Sequence, residues 1–181
     1  YLLNGQRFFV SRGFAELEIE VNPHFSFTLI AVHLKSKRQI AAADQADMRL
    51  EEAKILREKI DACLDANPKA NLIVLGDFND LRDSLPIRTI IGRGKNALVD
   101  TRPAERNGDE PQSDRRLRHR NVAWTHFYDL EDTYSRLDYI LLSKRMAREW
   151  VPEGTYVLAL PNWGVASDHR PLVAEFRPEE K

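Results

Sequence analysis

The chain has 181 residues, with 27 Lys or Arg against 28 Asp or Glu, and its formal net charge is −1. Hydrophobic residues make up 43%, which is typical of a globular domain and excludes fibrous and low-complexity proteins. The longest apolar run, residues 156–160, is far below the roughly 20 residues that span a bilayer, so no membrane span is expected. The single cysteine, Cys63, excludes an internal disulfide and a cysteine-based zinc site. Because the charges balance, any attraction to nucleic acid has to be local.

The first predicted elements are two strands joined as a hairpin. Residues 14–21 alternate apolar side chains with glutamates, which is typical of a half-buried strand. Asn22 and Pro23 then mark a turn. Residues 25–34 form a β-branched and aromatic run, which predicts a second and more buried strand.

A long amphipathic helix is predicted next. Between residues 41 and 64 apolar side chains recur every three or four positions, with charged side chains between them, and Pro68 lies just beyond the pattern. Residues 72–75 predict a short apolar strand. Ser84 is placed to cap a short helix that runs to Ile91.

The second half is predicted to hold a long surface loop and several short elements. Residues 101–120 contain ten charged residues and two hydrophobic ones, Ala104 and Leu117, which favours a loop. The other predicted elements are a brief strand at 98–99, two paired strands at 122–127 and 137–142, a short helix at 143–150, and strands at 156–160 and 171–176. This order predicts one α+β domain over residues 1–181, with antiparallel sheets and helices outside.

Polar side chains that could carry chemistry fall repeatedly at strand ends, where rigid elements can bring them to one rim of a sheet. They are His33, Asp77, Asn79, Asp138, Asp168 and His169. Structural alternatives exist for each. His33 alone could close a strand through a hydrogen bond, and a buried Asp138 could simply have a structural partner. Residues 167–169 could form a cap-like turn, although no helix follows them.

Asp77 and Asn79 make the most specific pair of this set. A turn is the plain interpretation, since Gly, Asp and Asn favour turns. In an extended backbone, however, side chains two residues apart point the same way. A carboxylate beside a carboxamide suits a hard cation or a water that attacks a phosphate.

Weaker candidates lie in and after the predicted loop. Arg115 and Arg116 belong to a basic run at 114–120, which is either a solvated loop or a phosphate contact. Trp124 could stack on a substrate or pack in the core. Three histidines without partnered spacing are expected at the surface: His24, His119 and His126.

Four motifs follow one another at strand ends along almost the whole chain. They are Val32-His33-Leu34-Lys35-Ser36, Leu75-Gly76-Asp77-Phe78-Asn79, Ser135-Arg136-Leu137-Asp138-Tyr139-Ile140 and Ser167-Asp168-His169-Arg170-Pro171. In this order they resemble the motifs of the endonuclease/exonuclease/phosphatase superfamily, which includes DNase I and the exonuclease III-type enzymes. The resemblance implies a DNase I-like four-layer α/β/β/α sandwich. This chain would form the later, C-terminal portion of that domain, without its N-terminal part.

The resemblance also implies a role for each residue of the rim. Asp77 would orient or deprotonate the attacking water, and Asn79 beside it would hold the phosphate or the metal. His169 would contact the scissile phosphate, with Asp138 keeping the imidazole oriented and protonated. His33 matches the family's other phosphate-side histidine.

The same resemblance implies a divalent cation, Mg²⁺ in the first place and Mn²⁺ as the alternative, which Asp168 would help to bind. The earlier half of the family's domain carries an Asn and a metal-binding Glu, and residues 1–13 hold neither motif. We therefore expect water to supply the missing ligands and the chain by itself to hydrolyse phosphodiesters very weakly or not at all. We also expect the missing N-terminal half or another chain to cover an exposed sheet face.

The predicted function is metal-dependent hydrolysis of phosphodiester bonds, nuclease-type in the first place. Nucleic acid would be the partner, with Arg115, Arg116 and Trp124 as substrate contacts. A lipid or small-molecule phosphodiesterase would use the same catalytic residues, and a non-catalytic fragment is the third interpretation. A serine hydrolase is disfavoured because the sequence lacks a G-x-S-x-G motif. The sequence does not indicate the cellular compartment.

Overall fold

A five-stranded sheet lies at the centre of the computed structural model, which describes residues 1–106 and 122–178. The strands are β1 (Leu2–Leu3), β2 (Gln6–Arg7), β3 (Phe14–Asn22), β4 (Phe25–His33), β5 (Leu72–Asp77), β6 (Val99–Asp100), β7 (Ala104–Glu105), β8 (His126–Tyr128), β9 (Thr133–Ser135), β10 (Asp138–Leu142), β11 (Trp150–Val157) and β12 (Leu172–Phe176). The helices are α1 (Gln45–Ala66) and α2 (Leu85–Ile91), with 3₁₀ turns at Gly94–Asn96, Met146–Arg148 and Trp163–Val165.

The central sheet has the strand order β3-β4-β5-β10-β6. Strands β4 and β5 are parallel, because α1 connects them as a crossover, and the other neighbours are antiparallel. A second sheet has the order β12-β11-β7, in which β7 and β11 are also parallel. The expectation of purely antiparallel sheets is therefore wrong, whereas the predicted β3–β4 hairpin is present.

Helix α1 covers one face of the central sheet. Asp44 caps its start, since its carboxylate accepts hydrogen bonds from the backbone N–H groups of Ala46 and Asp47. The helix therefore begins at Gln45, later than the predicted residue 41. Most of the predicted apolar stripe is buried, including Ala53, Leu56, Ile60 and Leu64, whereas Ala46 in the first turn is exposed. Helix α2 begins after Ser84, which caps it as predicted.

Two hydrophobic clusters lie on the two faces of the central sheet. Leu141 belongs to the cluster under the helices, together with Leu56 of α1 and Ile87 of α2. Its neighbour Leu142 belongs to the opposite cluster, against which β11 and β12 pack. The alternation of side chains along β10 thus joins three layers, helices, large sheet and small sheet, into a mixed α/β fold.

The chain from residue 122 to residue 157 differs most from the sequence-based expectations. Strand β8 pairs with β9, not with residues 137–142, and β10 lies between β5 and β6. The reason is burial: the apolar run of β10 is covered on both faces, which requires a central position in a sheet. The predicted helix at 143–150 is one 3₁₀ turn, and the predicted strand at 156–160 is the end of the longer β11.

Among the described residues, neither helix is both long and apolar enough to cross a membrane. Helix α1 has 22 residues, but charged side chains occur along its whole length.

Candidate active site

Three of the predicted site residues form one row across adjacent strands. In the register of the central sheet, His33 on β4 is paired with Asp77 on β5, and Asp77 is paired with Asp138 on β10. Paired residues of neighbouring strands point to the same face and lie about 5 Å apart. The His33 Nε2 atom is accordingly 3.2 Å from the Asp77 Oδ2 atom.

Gly76 permits the close approach of β4 and β5 directly before this row. Its φ is +135°, a backbone conformation that favours glycine. A Cβ atom on Gly76 would lie 1.9 Å from the carbonyl oxygen of Val32 on β4. Any side chain here would therefore force apart the two strands that carry His33 and Asp77.

A tight turn after β5 holds Asp77 and Asn79 together. The backbone N–H of Asn79 donates to Asp77 Oδ1 at 2.8 Å, and its Nδ2 donates to Asp77 Oδ2 at 3.0 Å. The same Nδ2 donates to the carbonyl oxygen of Leu34 at 3.0 Å. Both amide hydrogens are thereby engaged, and none of the described residues donates to the Asn79 amide oxygen, which is left to bind another ligand.

His169 and Asp138 form the shortest contact of a histidine and a carboxylate in the site. The distance from His169 Nδ1 to Asp138 Oδ2 is 2.7 Å, and the His169 Nε2 atom lies 3.9 Å from Asp77 Oδ2. The hydrogen bond to Asp138 raises the pKa of His169, while burial raises the pKa of Asp77. His169 therefore favours its protonated form, whereas Asp77 accepts a proton more readily than an ordinary aspartate does.

Buried polar contacts fix the segments that carry these residues. The Arg49 side chain of α1 donates through Nε to Asp80 Oδ2 and through Nη1 to the Lys35 carbonyl oxygen. Glu52, one helical turn later, accepts from the Lys35 backbone N–H at 2.7 Å. On the other side, the Thr125 hydroxyl accepts from the backbone N–H of Asp138 at 3.2 Å. Helix α1 therefore holds the loops after β4 and β5.

These side chains open onto a cleft of about 930 Å³. All six residues predicted at strand ends line it: His33, Asp77, Asn79, Asp138, Asp168 and His169. Lys37 and Arg38, from the exposed loop after β4, add positive charge to its wall. The predicted convergence of the strand ends is therefore present in the structure, whereas the chemical role of each residue stays a prediction.

His126 is the site residue that the sequence interpretation missed. It was expected at the surface, but 18% of its side chain is exposed and it lines the cleft. Its ring lies 4.7 Å from that of His169, and its Nε2 atom is 3.6 Å from Asp168 Oδ2. The backbones of His126 and His169 form an isolated β-bridge. No spacing in the sequence indicates this, because the two residues meet only through long-range strand pairing.

Of the three residues predicted to contact the substrate, the structure describes only Trp124. Trp124 does not line the cleft; the Arg170 guanidinium lies 4.0 Å above its ring, and Tyr134 and Trp163 contact it edge-on. This environment is typical of a packing residue. Arg115 and Arg116 lie outside the described residues, so their contact with substrate stays a prediction.

The match to a family model now identifies the class of the protein. Residues 6–169 match the model of the Endonuclease/Exonuclease/phosphatase family. The chain belongs to this family. No curated protein sequence matches it.

Solved structures share the DNase I-like fold with this chain. A beta toxin variant from Staphylococcus aureus with bound magnesium ions is 19% identical, with a TM-score of 0.58, over 92% of this chain and 58% of its own. Sphingomyelinase C from Streptomyces griseocarneus is 19% identical, with a TM-score of 0.53, over 90% and 56%. The 3′ phosphatase NExo from Neisseria, bound to a product DNA hairpin, is 18% identical, with a TM-score of 0.51, over 83% and 61%. The chain thus spans somewhat more than half the length of these proteins.

Among the described side chains, the exposed carboxylate of Asp168 is the group best placed to bind a divalent cation. Two clusters bring potential ligand atoms within 4.8 Å of one another: Asp77, Asp138 and His169, and His126, Asp168 and His169. In the first cluster the carboxylates already contact histidines. The Asp168 carboxylate is 74% exposed, and none of the described residues donates a hydrogen bond to it. Mg²⁺ is usually held by one or two carboxylates together with water and substrate phosphate, and Asp168 suits such binding.

Proposed function

We propose that this protein is a divalent-metal-dependent phosphodiesterase of nuclease type. The supporting observation is the meeting of two groups with opposite tasks in one cleft. Asp77 Oδ2 and His169 Nε2 lie 3.9 Å apart, so a carboxylate that can accept a proton faces an imidazole that can donate one. A phosphate bound beside both atoms would have its attacking water next to Asp77 and its charge stabilised by His169.

Each side chain has a distinct part in the proposed reaction. Asp77 takes the proton of the attacking water as the water oxygen bonds to phosphorus, and burial favours this because it raises the Asp77 pKa. Asn79 fixes the Asp77 carboxylate through two hydrogen bonds. His169, held by Asp138, donates a hydrogen bond to the phosphate oxygen that gains negative charge, and the leaving oxygen takes a proton from solvent as its bond to phosphorus breaks. His33 lies against Asp77 and faces the same phosphate.

A cation bound through Asp168 would neutralise charge on the phosphate. The protein's own contribution is to place this carboxylate beside His169, the next residue in the chain. The Ser167 hydroxyl helps, since it accepts a hydrogen bond from the His169 backbone N–H at 3.0 Å. The loop is thereby held in a turn that presents Asp168 to the cleft.

Nucleic acid is the substrate class that we place first. Lys37 and Arg38 line the cleft, and their loop is fixed by Lys35, whose Nζ donates to the carbonyl oxygens of Ser36 and Arg38. A fixed basic loop next to a phosphodiester site suits a polyanion, because several phosphates can be contacted at once.

A lipid phosphodiester is the second candidate, and a different observation favours it. Leu130, in the turn between β8 and β9, is 79% exposed, and Val165, two residues before Ser167 of the cleft, is 87% exposed. Exposed apolar side chains in segments that also line the cleft suit a substrate with an apolar part next to its phosphate. The sphingomyelinase fold similarity is consistent with this candidate.

The experiment compares substrates and variants under one set of conditions. The chain is incubated with DNA, RNA, sphingomyelin vesicles and bis(4-nitrophenyl) phosphate, with Mg²⁺ and with EDTA. We expect slow, EDTA-sensitive hydrolysis that falls by about 10²–10⁴-fold in Asp77→Asn and His169→Asn. The matched controls Asp83→Asn and His24→Asn change exposed residues outside the cleft and should keep the wild-type rate. Equal rates in Asp77→Asn and wild type would contradict the proposal, and faster hydrolysis of sphingomyelin than of DNA would favour the second candidate.

A further inference from the structure

We propose that His126 and Asp168 together bind a divalent transition metal ion, so that this site prefers Mn²⁺ to Mg²⁺. The inference extends the proposed function at the same cleft, but it concerns binding and is tested as binding. It starts from the one histidine of the described cleft that the proposed mechanism does not use.

The separation of the two side chains argues against a simple hydrogen-bonded pair. His126 Nε2 and Asp168 Oδ2 are 3.6 Å apart, beyond the usual range of about 2.7–3.2 Å for a hydrogen bond from nitrogen to oxygen. His169 and Asp138, in the same cleft, lie at 2.7 Å and do form one. The His126–Asp168 contact is therefore not a direct hydrogen bond.

The same separation suits two ligands of one metal ion. Ligand bonds of about 2.0–2.2 Å from imidazole nitrogen and carboxylate oxygen place the two ligand atoms roughly 3.0–3.6 Å apart at ordinary coordination angles. An atom of His169 also lies within 4.8 Å of both. The Asp168 side chain is 74% exposed, which leaves room for water or a phosphate oxygen as further ligands.

Backbone contacts hold the two ligands in this relation before any ion arrives. His126 forms a β-bridge with His169, the neighbour of Asp168. The Thr125 carbonyl oxygen accepts from the backbone N–H of Arg170 at 2.7 Å. The two chain segments are thus joined directly beside the ligand pair, which reduces the conformational entropy lost on binding.

The donor atoms determine the preferred ion. Mg²⁺ takes oxygen ligands almost exclusively, whereas imidazole nitrogen is a ligand of the first-row transition metals, whose affinity for a given site is lowest at Mn²⁺ and rises toward Cu²⁺. Replacing an oxygen ligand by His126 should therefore weaken selection of Mg²⁺ and strengthen binding of Mn²⁺.

Electron paramagnetic resonance with Mn²⁺ alone tests the inference without any activity. Titration of metal-free protein should show that His126→Gln lowers Mn²⁺ affinity by at least about tenfold. Mg²⁺ affinity, measured by competition, should change far less. His24→Gln is the matched control, because His24 lies in the exposed turn between β3 and β4, and it should bind both ions as the wild type does.

A spectroscopic readout separates ligation from a merely structural role. In the folded wild type, electron spin echo modulation from an imidazole ¹⁴N coupled to Mn²⁺ is expected, absent in His126→Asn and retained in His169→Gln. Wild-type protein without this modulation, or a His126→Gln variant with unchanged Mn²⁺ affinity, would overturn the inference. Modulation in a protein that hydrolyses no phosphodiester would support this site and refute the proposed function.

Discussion

Three imidazoles face three carboxylates around the cleft, at three different distances. His169 hydrogen-bonds Asp138 at 2.7 Å, His33 lies 3.2 Å from Asp77, and His126 lies 3.6 Å from Asp168. Because the energy of such contacts falls steeply with distance and alignment, the pairs are not equivalent. The pair with the longest contact, His126 with Asp168, also has the most exposed carboxylate.

Asp138→Asn is predicted to lower the pKa of His169. The hydrogen bond from His169 to Asp138 is the largest cause of the raised pKa, ahead of the charges of Asp77 and Asp168. An amide accepts this hydrogen bond but carries no charge, so the imidazolium loses its main stabilisation. Histidine NMR titration in EDTA measures the change, and an unchanged His169 pKa in the variant would contradict the assignment.

The raised pKa of His169 determines in which direction this residue makes the stability of the fold depend on pH. The folded state binds the His169 proton more tightly than the unfolded state, whose pKa is near the ordinary 6.5. The stabilisation from the pair is therefore fully present below that value and is lost as pH rises through the raised pKa. Urea unfolding of wild type and Asp138→Asn at several pH values should show a gap in unfolding free energy that narrows toward high pH. A gap that widens with pH would refute this sign.

At the scale of residues, most of the site could be predicted because its side chains lie at the ends of strands. Asp77 and His169 could be found because polar residues directly beside apolar runs are easy to see in one dimension. His126 could not, since its partners come from residues 168–169, and no local pattern reports a contact over that separation. The distances in the cleft depend on strand register, which the sequence alone did not specify.

At the scale of elements, Gly76 determines how closely β4 and β5 pack. Gly76→Ala is predicted to lower both stability and hydrolysis, since its Cβ would meet the Val32 carbonyl oxygen at 1.9 Å. The matched control is Gly94→Ala, which has φ +69° but nothing within 4 Å of the added Cβ. Its cost should be about 1–2 kcal/mol from backbone strain alone. Urea unfolding measures both, and equal losses would show that the clash is relieved.

Helix α1 acts on the site through Arg49. Arg49→Gln is predicted to cost up to about 3–5 kcal/mol, because Asp80 and the Lys35 carbonyl oxygen lose a buried cationic donor. Lys54→Gln on the same helix removes an exposed ion pair with Glu51 and should cost less than about 1 kcal/mol. Thermal unfolding compares the two, and similar melting temperatures would contradict a special role for Arg49.

Long periodic elements were predicted well and short polar ones were not. The 22-residue helix α1 has many apolar repeats that agree with one another. Strands β8 and β9 have three residues each and contain aromatic and polar side chains on both faces. Tertiary pairing decides the structure of such short segments, which is why residues 122–127 were assigned to the wrong partner.

At the scale of the whole molecule, two cores share one sheet. Leu141 and Leu142 are adjacent and fully buried, but they belong to opposite clusters. Leu141→Ala and Leu142→Ala are each predicted to lower the free energy of unfolding by about 2–5 kcal/mol. Chemical denaturation should give a single transition for both, since the clusters are joined through β10. Two separate transitions would instead show that the layers unfold independently.

The two parts of the cleft are expected to differ in amide hydrogen exchange. One part is the cross-strand row of His33, Asp77 and Asp138, and the other holds His126 and His169. Amide hydrogens of β4, β5 and β10 lie inside the central sheet, so their exchange with solvent should require global unfolding. His126 and His169 sit on a two-stranded ladder and a loop, where local opening is enough. We therefore expect amide exchange to be slower in the strands that carry the carboxylate row than in the segments that carry His126 and His169, so that the row would keep its geometry when the other wall of the cleft opens.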